Sequence, residues 1–140
     1  MTYRGFYSMD YLVYTDASFK LSIKRAACGS ICITSDRFIF KQCSTVYIDN
    51  SNDAERHAIN LAARRMCEIV QPGDSVYIFT DSKSCVISIQ SGNMPKWVRV
   101  LSKKCDLHVK HVKAHTDDYD VNNFVDIYCR SKLKREENRR

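Results

Sequence analysis

The sequence predicts an α/β fold, a five-stranded mixed sheet made of an antiparallel hairpin plus parallel strands and flanked by helices. Three observations predict it. Two apolar runs, YLVYTD and VYIFTD, close on the same pair, Thr15-Asp16 and Thr80-Asp81. A hairpin pattern follows the first run. A long stretch of apolar residues at helical spacing then separates that hairpin from the second run.

Taken in order, residues 11–15 read as a buried strand from their aromatic and β-branched content. Residues 26–34 and 38–43 are apolar runs about Ser35-Asp36-Arg37, so Asp36 is a turn residue. Over 52–70, Ala54, Ala58, Ile59, Ala62, Met66, Ile69 and Val70 recur at helical spacing until Gln71-Pro72-Gly73-Asp74 stops the helix. A strand over 76–80, short helices over 82–90 and 95–104, a strand over 107–112 and a closing helix over 121–133 complete the order. A strand, a helix and a strand in one sheet imply parallel pairing with a right-handed crossover. If the first strand is central and pairs with 76–80, Asp16 and Asp81 meet at the carboxyl edge, where open α/β sheets place their sites.

Length and charge bound the function. The 140 residues make one domain, 1–140, with a basic tail over about 130–140. Lys and Arg number 22 against 16 acids, a net charge of +6, which favours a polyanionic partner. Seven cysteines are scattered without a CxxC pair, and no apolar run approaches membrane-spanning length. An intracellular setting (cytoplasm or nucleus), no membrane partner and a monomer are the expectations. The cysteines read as small core residues. A zinc site built from them with His108, His111 and His115 is disfavoured, because His108 and His111 fall on opposite faces of a strand.

The carboxylates carry the chemistry. Glu55 lies one turn before Ile59 and two before Ala62, on the apolar stripe of its helix rather than the wet face. A bland reading makes it a first-turn acid favoured by the helix dipole, with Asn52 as the cap. Asp126, between Val125 and Ile127, is a fourth candidate. Such acids repel one another unless hard cations neutralise them, and Mg²⁺ prefers oxygen donors and keeps waters for substrate phosphates. Two ions can activate water and stabilise a departing oxygen, so a basic chain with an acid cluster suits phosphodiester hydrolysis.

At these residues the sequence resembles the type 1 ribonuclease H family over nearly its whole length. YTDAS resembles the first motif with Asp16, SNDAERHAINLAA the second with Glu55, and IFTDSKS the third with Asp81. VKAHTDDYDVNNFVD looks like the histidine loop and final motif, with His115 and Asp126. The resemblance implies a ribonuclease H-like fold and endonucleolytic hydrolysis of the RNA strand of RNA/DNA hybrids. It implies that Asp16, Glu55, Asp81 and Asp126 hold two Mg²⁺ ions, with Mn²⁺ as a substitute, and that His115 is a proton shuttle that helps product leave. Substrate contacts are expected at Asn52, near the 2′-hydroxyls, and at Ser18, Ser82 and Lys83.

The chain also departs from that pattern. Many relatives carry a glycine-rich turn after the first Asp, whereas ASFKLSIKRAACG offers Lys20, Lys24 and Arg25. Lys83 stands where many have glutamine, and the segment SGNMPKWVRVLSKKC is shorter than a full basic protrusion. Trp97 in that segment reads as a core residue rather than a base-stacking one. The rival readings are a structure-specific DNA nuclease on the same fold, a retroelement ribonuclease H module and a non-catalytic hybrid-binding module. A pure binder gains nothing from four anions facing phosphates.

Overall fold

The structure, a computed structural model, describes residues 7–112. The closing helix expected over 121–133, with Asp126, and the loop bearing His115 lie outside these residues. Five strands form one sheet, and its element order is β1 (Asp10–Lys20), β2 (Arg25–Ile33), β3 (Phe38–Tyr47), α1 (Ser51–Cys67), β4 (Ser75–Thr80), α2 (Lys83–Gln90), α3 (Lys96–Lys104) and β5 (Asp106–His111). Across the sheet the strands run β3-β2-β1-β4-β5. β1 pairs antiparallel with β2 and parallel with β4, and β4 pairs parallel with β5. The first strand is therefore central, which meets the condition for Asp16 and Asp81 to share the carboxyl edge.

Among the described residues the largest core cluster lies on one face of the sheet, and a smaller one, Ala27 and Ile31 with Tyr14, Ile33 and Cys43, lies on the other. Tyr11 and Val13 of β1, Cys32 of β2 and Val76 and Ile78 of β4 pack against Ile59, Ala62, Ala63 and Met66 of α1 and Val98 and Leu101 of α3. The alternation of period two on the strands meets the 3.6-residue stripe on α1, and that match fixes the register of sheet against helix. Trp97 is partly buried against this core, with Arg64 and Lys96 near its ring, in keeping with a core role. No helix among the described residues is long and apolar enough to cross a membrane. All six described cysteines are free thiols.

Several boundaries differ from the sequence reading, among them the end of β3, which lies at Tyr47 rather than 43 because the strand goes on pairing with β2. β1 continues past Thr15 to Lys20, because residues 16–20 pair with β2 down to Lys20 opposite Arg25 although they alternate weakly in hydrophobicity. α1 ends at Cys67, and the amides of Ile69 and Val70 turn back onto the Met66 carbonyl while both side chains still pack on the core. The cap of α1 is Asn50, not Asn52: the Asn50 side chain accepts from the Asp53 amide at 2.8 Å and donates to the Asp53 carboxylate at 2.9 Å. Two asparagines near a helix start are equivalent by composition, and the extended backbone at Asn50 decides between them.

Candidate active site

Both Thr-Asp pairs end up at one place. The parallel ladder between β1 and β4 runs to Tyr14 opposite Phe79. One residue further, the Thr15 hydroxyl donates to the Phe79 carbonyl at 3.0 Å, holding the strands together where the ladder ends. The Thr80 hydroxyl accepts from the Ser82 amide at 3.1 Å and turns the chain toward α2. Both threonines are fully buried. Each threonine thus fixes a strand end, and the aspartate after it is delivered to the carboxyl edge of the sheet, Asp16 level with Asp81.

Glu55 arrives from α1. Ala54 and Ala58 pack on Ala26 and Cys28 of β2, and these small side chains let the start of the helix lie close to the sheet. The Cys28 thiol donates to the Ala54 carbonyl at 3.4 Å. One carboxylate oxygen from each of Asp16, Glu55 and Asp81 falls within 4.8 Å of the other two. Asp16 is buried and the other two are half-buried. Like charges at this spacing repel strongly in a partly desolvated edge, so the arrangement is suited to a cation.

The donor set is oxygen only. Cys28 lies beside the cluster, yet burial, then Cys43, then Glu55 and Asp16 push its thiol up to about 12, so it stays protonated at neutral pH. A protonated thiol is a poor ligand, and a hard divalent ion matches three carboxylates. Among the described residues no other cluster of three metal-ligating side chains occurs. His108 instead stacks on Tyr77 at 4.8 Å and meets the Asp106 carboxylate at 3.0 Å on β5.

Solved structures share this architecture. RNase H1 from the halophilic archaeon Halobacterium salinarum superposes with a TM-score of 0.73 at 17% identity, covering 89% of this chain and 98% of the other. This is the ribonuclease H fold. The N-terminal RNase H domain of a Mycobacterium tuberculosis protein, solved as a fusion with maltose-binding protein, gives 0.71 at 14% identity, covering 94% of this chain and 98% of that one. No family model and no curated protein matches the sequence.

His115 and Asp126 lie outside the described residues; of the remaining candidates in this ribonuclease H fold, Ser18, Asn52, Ser82 and Lys83 are described. Ser18 is two residues past Asp16 on β1 and so shares its face. Ser82 caps α2, accepting from the Cys85 amide at 3.3 Å, and Lys83 is exposed in the first turn. Asn52 is exposed, and its Oδ1 accepts from the Ser84 hydroxyl at 2.6 Å, which ties the first turns of α1 and α2 together. Sequence reasoning missed Ser84 and the threonine clasps. The repeated Thr before each Asp was the available signal for the latter; nothing in the sequence pairs Ser84 with Asn52.

Proposed function

We propose that this chain is a divalent-metal-dependent endoribonuclease that hydrolyses the RNA strand of RNA/DNA hybrids. The observation that carries the reading is the meeting of Asp16, Glu55 and Asp81 within 4.8 Å at the carboxyl edge of a ribonuclease H fold. Three oxygen donors beside a protonated thiol fit Mg²⁺, with Mn²⁺ as a substitute. When two such ions are bound, they supply charge neutralisation, activation of water and stabilisation of the departing oxygen. Asp16, Glu55 and Asp81, with Asp126 as fourth ligand, would hold them.

The other steps belong to the protein. Thr15 and Thr80 hold the two aspartate-bearing strand ends, so the carboxylates need little reorganisation when substrate arrives. Asn52, its Oδ1 engaged by Ser84, offers its Nδ2 donors to the 2′-oxygen that marks RNA in a wide minor groove. Ser18 and Ser82 add hydroxyls and Lys83 a cation along the RNA strand. His115 carries a proton to the departing oxygen through an imidazole nitrogen and helps product leave.

Labelled RNA/DNA hybrid, double-stranded RNA, duplex DNA and a branched DNA junction, each with Mg²⁺ or EDTA, test this reading. Cutting of the hybrid's RNA strand with Mg²⁺ alone is expected. Preferential cutting of the junction would favour the structure-specific DNA nuclease instead, and cutting in EDTA would contradict the metal site.

A further inference from the structure

We propose that Ser84 is a positioning residue that turns Asn52 into a hydrogen-bond donor only, and that this sets the preference for a ribose 2′-oxygen at that point of the substrate. The inference rests on the function proposed above and deepens it, assigning sugar selectivity to a residue of α2 outside the acid cluster.

The first turns of α1 and α2 meet through a short relay. The Cys85 amide donates to the Ser82 hydroxyl at 3.3 Å, and the Ser82 and Ser84 hydroxyls lie 3.3 Å apart. Ser84 Oγ stands 2.6 Å from Asn52 Oδ1. That separation suits an O–H···O bond, since N–H···O bonds run from roughly 2.7 to 3.2 Å, so it is the oxygen of the Asn52 amide that faces Ser84. Ser84 has a single proton and spends it on this shorter bond, which leaves the Ser82 hydroxyl as donor to Ser84 Oγ. The relay therefore has one direction: Cys85 amide to Ser82, Ser82 to Ser84, Ser84 to Asn52. Each bond polarises the next.

A second donor completes the hold. The buried Cys85 thiol lies 3.7 Å from the Asn52 backbone carbonyl and 3.8 Å from Asn52 Oδ1. Burial raises the pKa of this thiol, so it keeps the proton it donates at neutral pH. An amide oxygen has two lone pairs, and Ser84 and Cys85 together engage both. What Asn52 keeps for the substrate is the pair of N–H groups on Nδ2. Asn52 is exposed and lies about one helical turn before Glu55, so it shares the helix face that carries Glu55 to the acid cluster. A freely turning carboxamide could meet a donor or an acceptor equally well. One held as a donor selects an acceptor, and the 2′-oxygen is the acceptor that ribose has and deoxyribose lacks.

Steady-state cleavage by the full chain with Mg²⁺ tests this, on hybrids whose RNA strand is all ribose or carries one 2′-deoxynucleotide at successive positions beside the cut. Ser84→Ala should raise KM for the all-ribose hybrid by roughly two- to ten-fold, the worth of one hydrogen bond, with kcat little changed. At the position where wild type is most sensitive, the penalty for the 2′-deoxynucleotide should shrink by a similar factor in Ser84→Ala. It should return in Ser84→Thr, which keeps the hydroxyl. Adding Ser84→Ala to Asn52→Ala should cause no further loss. A Ser84 that only ties α1 to α2 would alter melting and leave the 2′-deoxy penalty alone. Equal penalties in wild type and folded Ser84→Ala, or none regained with Ser84→Thr, would therefore overturn the proposal. Wild-type protein that does not cut hybrid would instead remove the function on which the proposal rests. The anchoring is then read without substrate from the NMR order parameter of the Asn52 side-chain amide, which should be high in wild type and lower in Ser84→Ala. Equal order parameters would overturn it.

Discussion

Asp74 offers a sharp contrast with the site acids, because it is as buried as Asp16 but is satisfied by the backbone. It is 1% exposed at the amino end of β4, and its two carboxylate oxygens accept from the Met9 amide at 2.9 Å and the Gln71 amide at 2.8 Å. Hydrogen bonds to a charged group contribute about 1.5–3 kcal/mol each, and the stranded amides add to the loss. Asp74→Ala should therefore lower stability by about 3–5 kcal/mol, a large share of the roughly 5–15 kcal/mol typical of a domain. Urea unfolding followed by circular dichroism reads this as a lower midpoint at unchanged slope. Asp74→Asn keeps one acceptor oxygen and should lose about half as much. β4 is six residues long, which sets Asp74 about 20 Å from Asp81. Hybrid cleavage well below the melting transition should therefore match wild type. A loss under about 1 kcal/mol, or a folded Asp74→Ala protein without activity, would refute the assignment of Asp74 as structural.

Two further substitutions separate cap from contact: Asn50→Ala should cost about 1 kcal/mol of stability through the start of α1, whereas Asn52→Ala should cost less. Asn52→Ala should instead raise KM for hybrid by roughly two- to ten-fold, the worth of one hydrogen bond, in steady-state cleavage assays. Burial pushes Cys28 and Cys32 up to about 12, so both should resist alkylation at pH 8 until urea is added, as mapped by mass spectrometry. A raised thiol pKa stabilises the fold fully below the ordinary value of 9.0 and loses that contribution as pH climbs toward 12, so melting temperature should fall across that interval.

The parts of this protein legible in its sequence are those governed by periodicity. Strand alternation and the stripe on α1 disclose the sheet order, and the Thr-Asp pairs disclose which strand ends share an edge. Glu55 betrays itself as an acid on an apolar face. What stayed hidden depends on tertiary contact. The continuation of β1 to Lys20 comes from pairing with β2 rather than from its own weak pattern. The choice of Asn50 over Asn52 as cap depends on backbone conformation at a single residue, and the Ser84–Asn52 bond joins helices 32 residues apart. Asp74 reads as a helix-stopping turn residue, yet it also clamps the chain before β1 through Met9.

The central claim is that Asp16, Glu55 and Asp81 form a cation site that runs the reaction. Asp81→Asn tests it most directly, because the side chain keeps its shape, loses one ligand charge and leaves the Ser82 cap of α2 in place. Cleavage of labelled hybrid with Mg²⁺ is measured beside thermal melting in metal-free buffer. Cleavage should fall by several orders of magnitude, with melting unchanged or raised because one of the crowded negative charges is gone. Near-normal cleavage by a folded Asp81→Asn protein would contradict it.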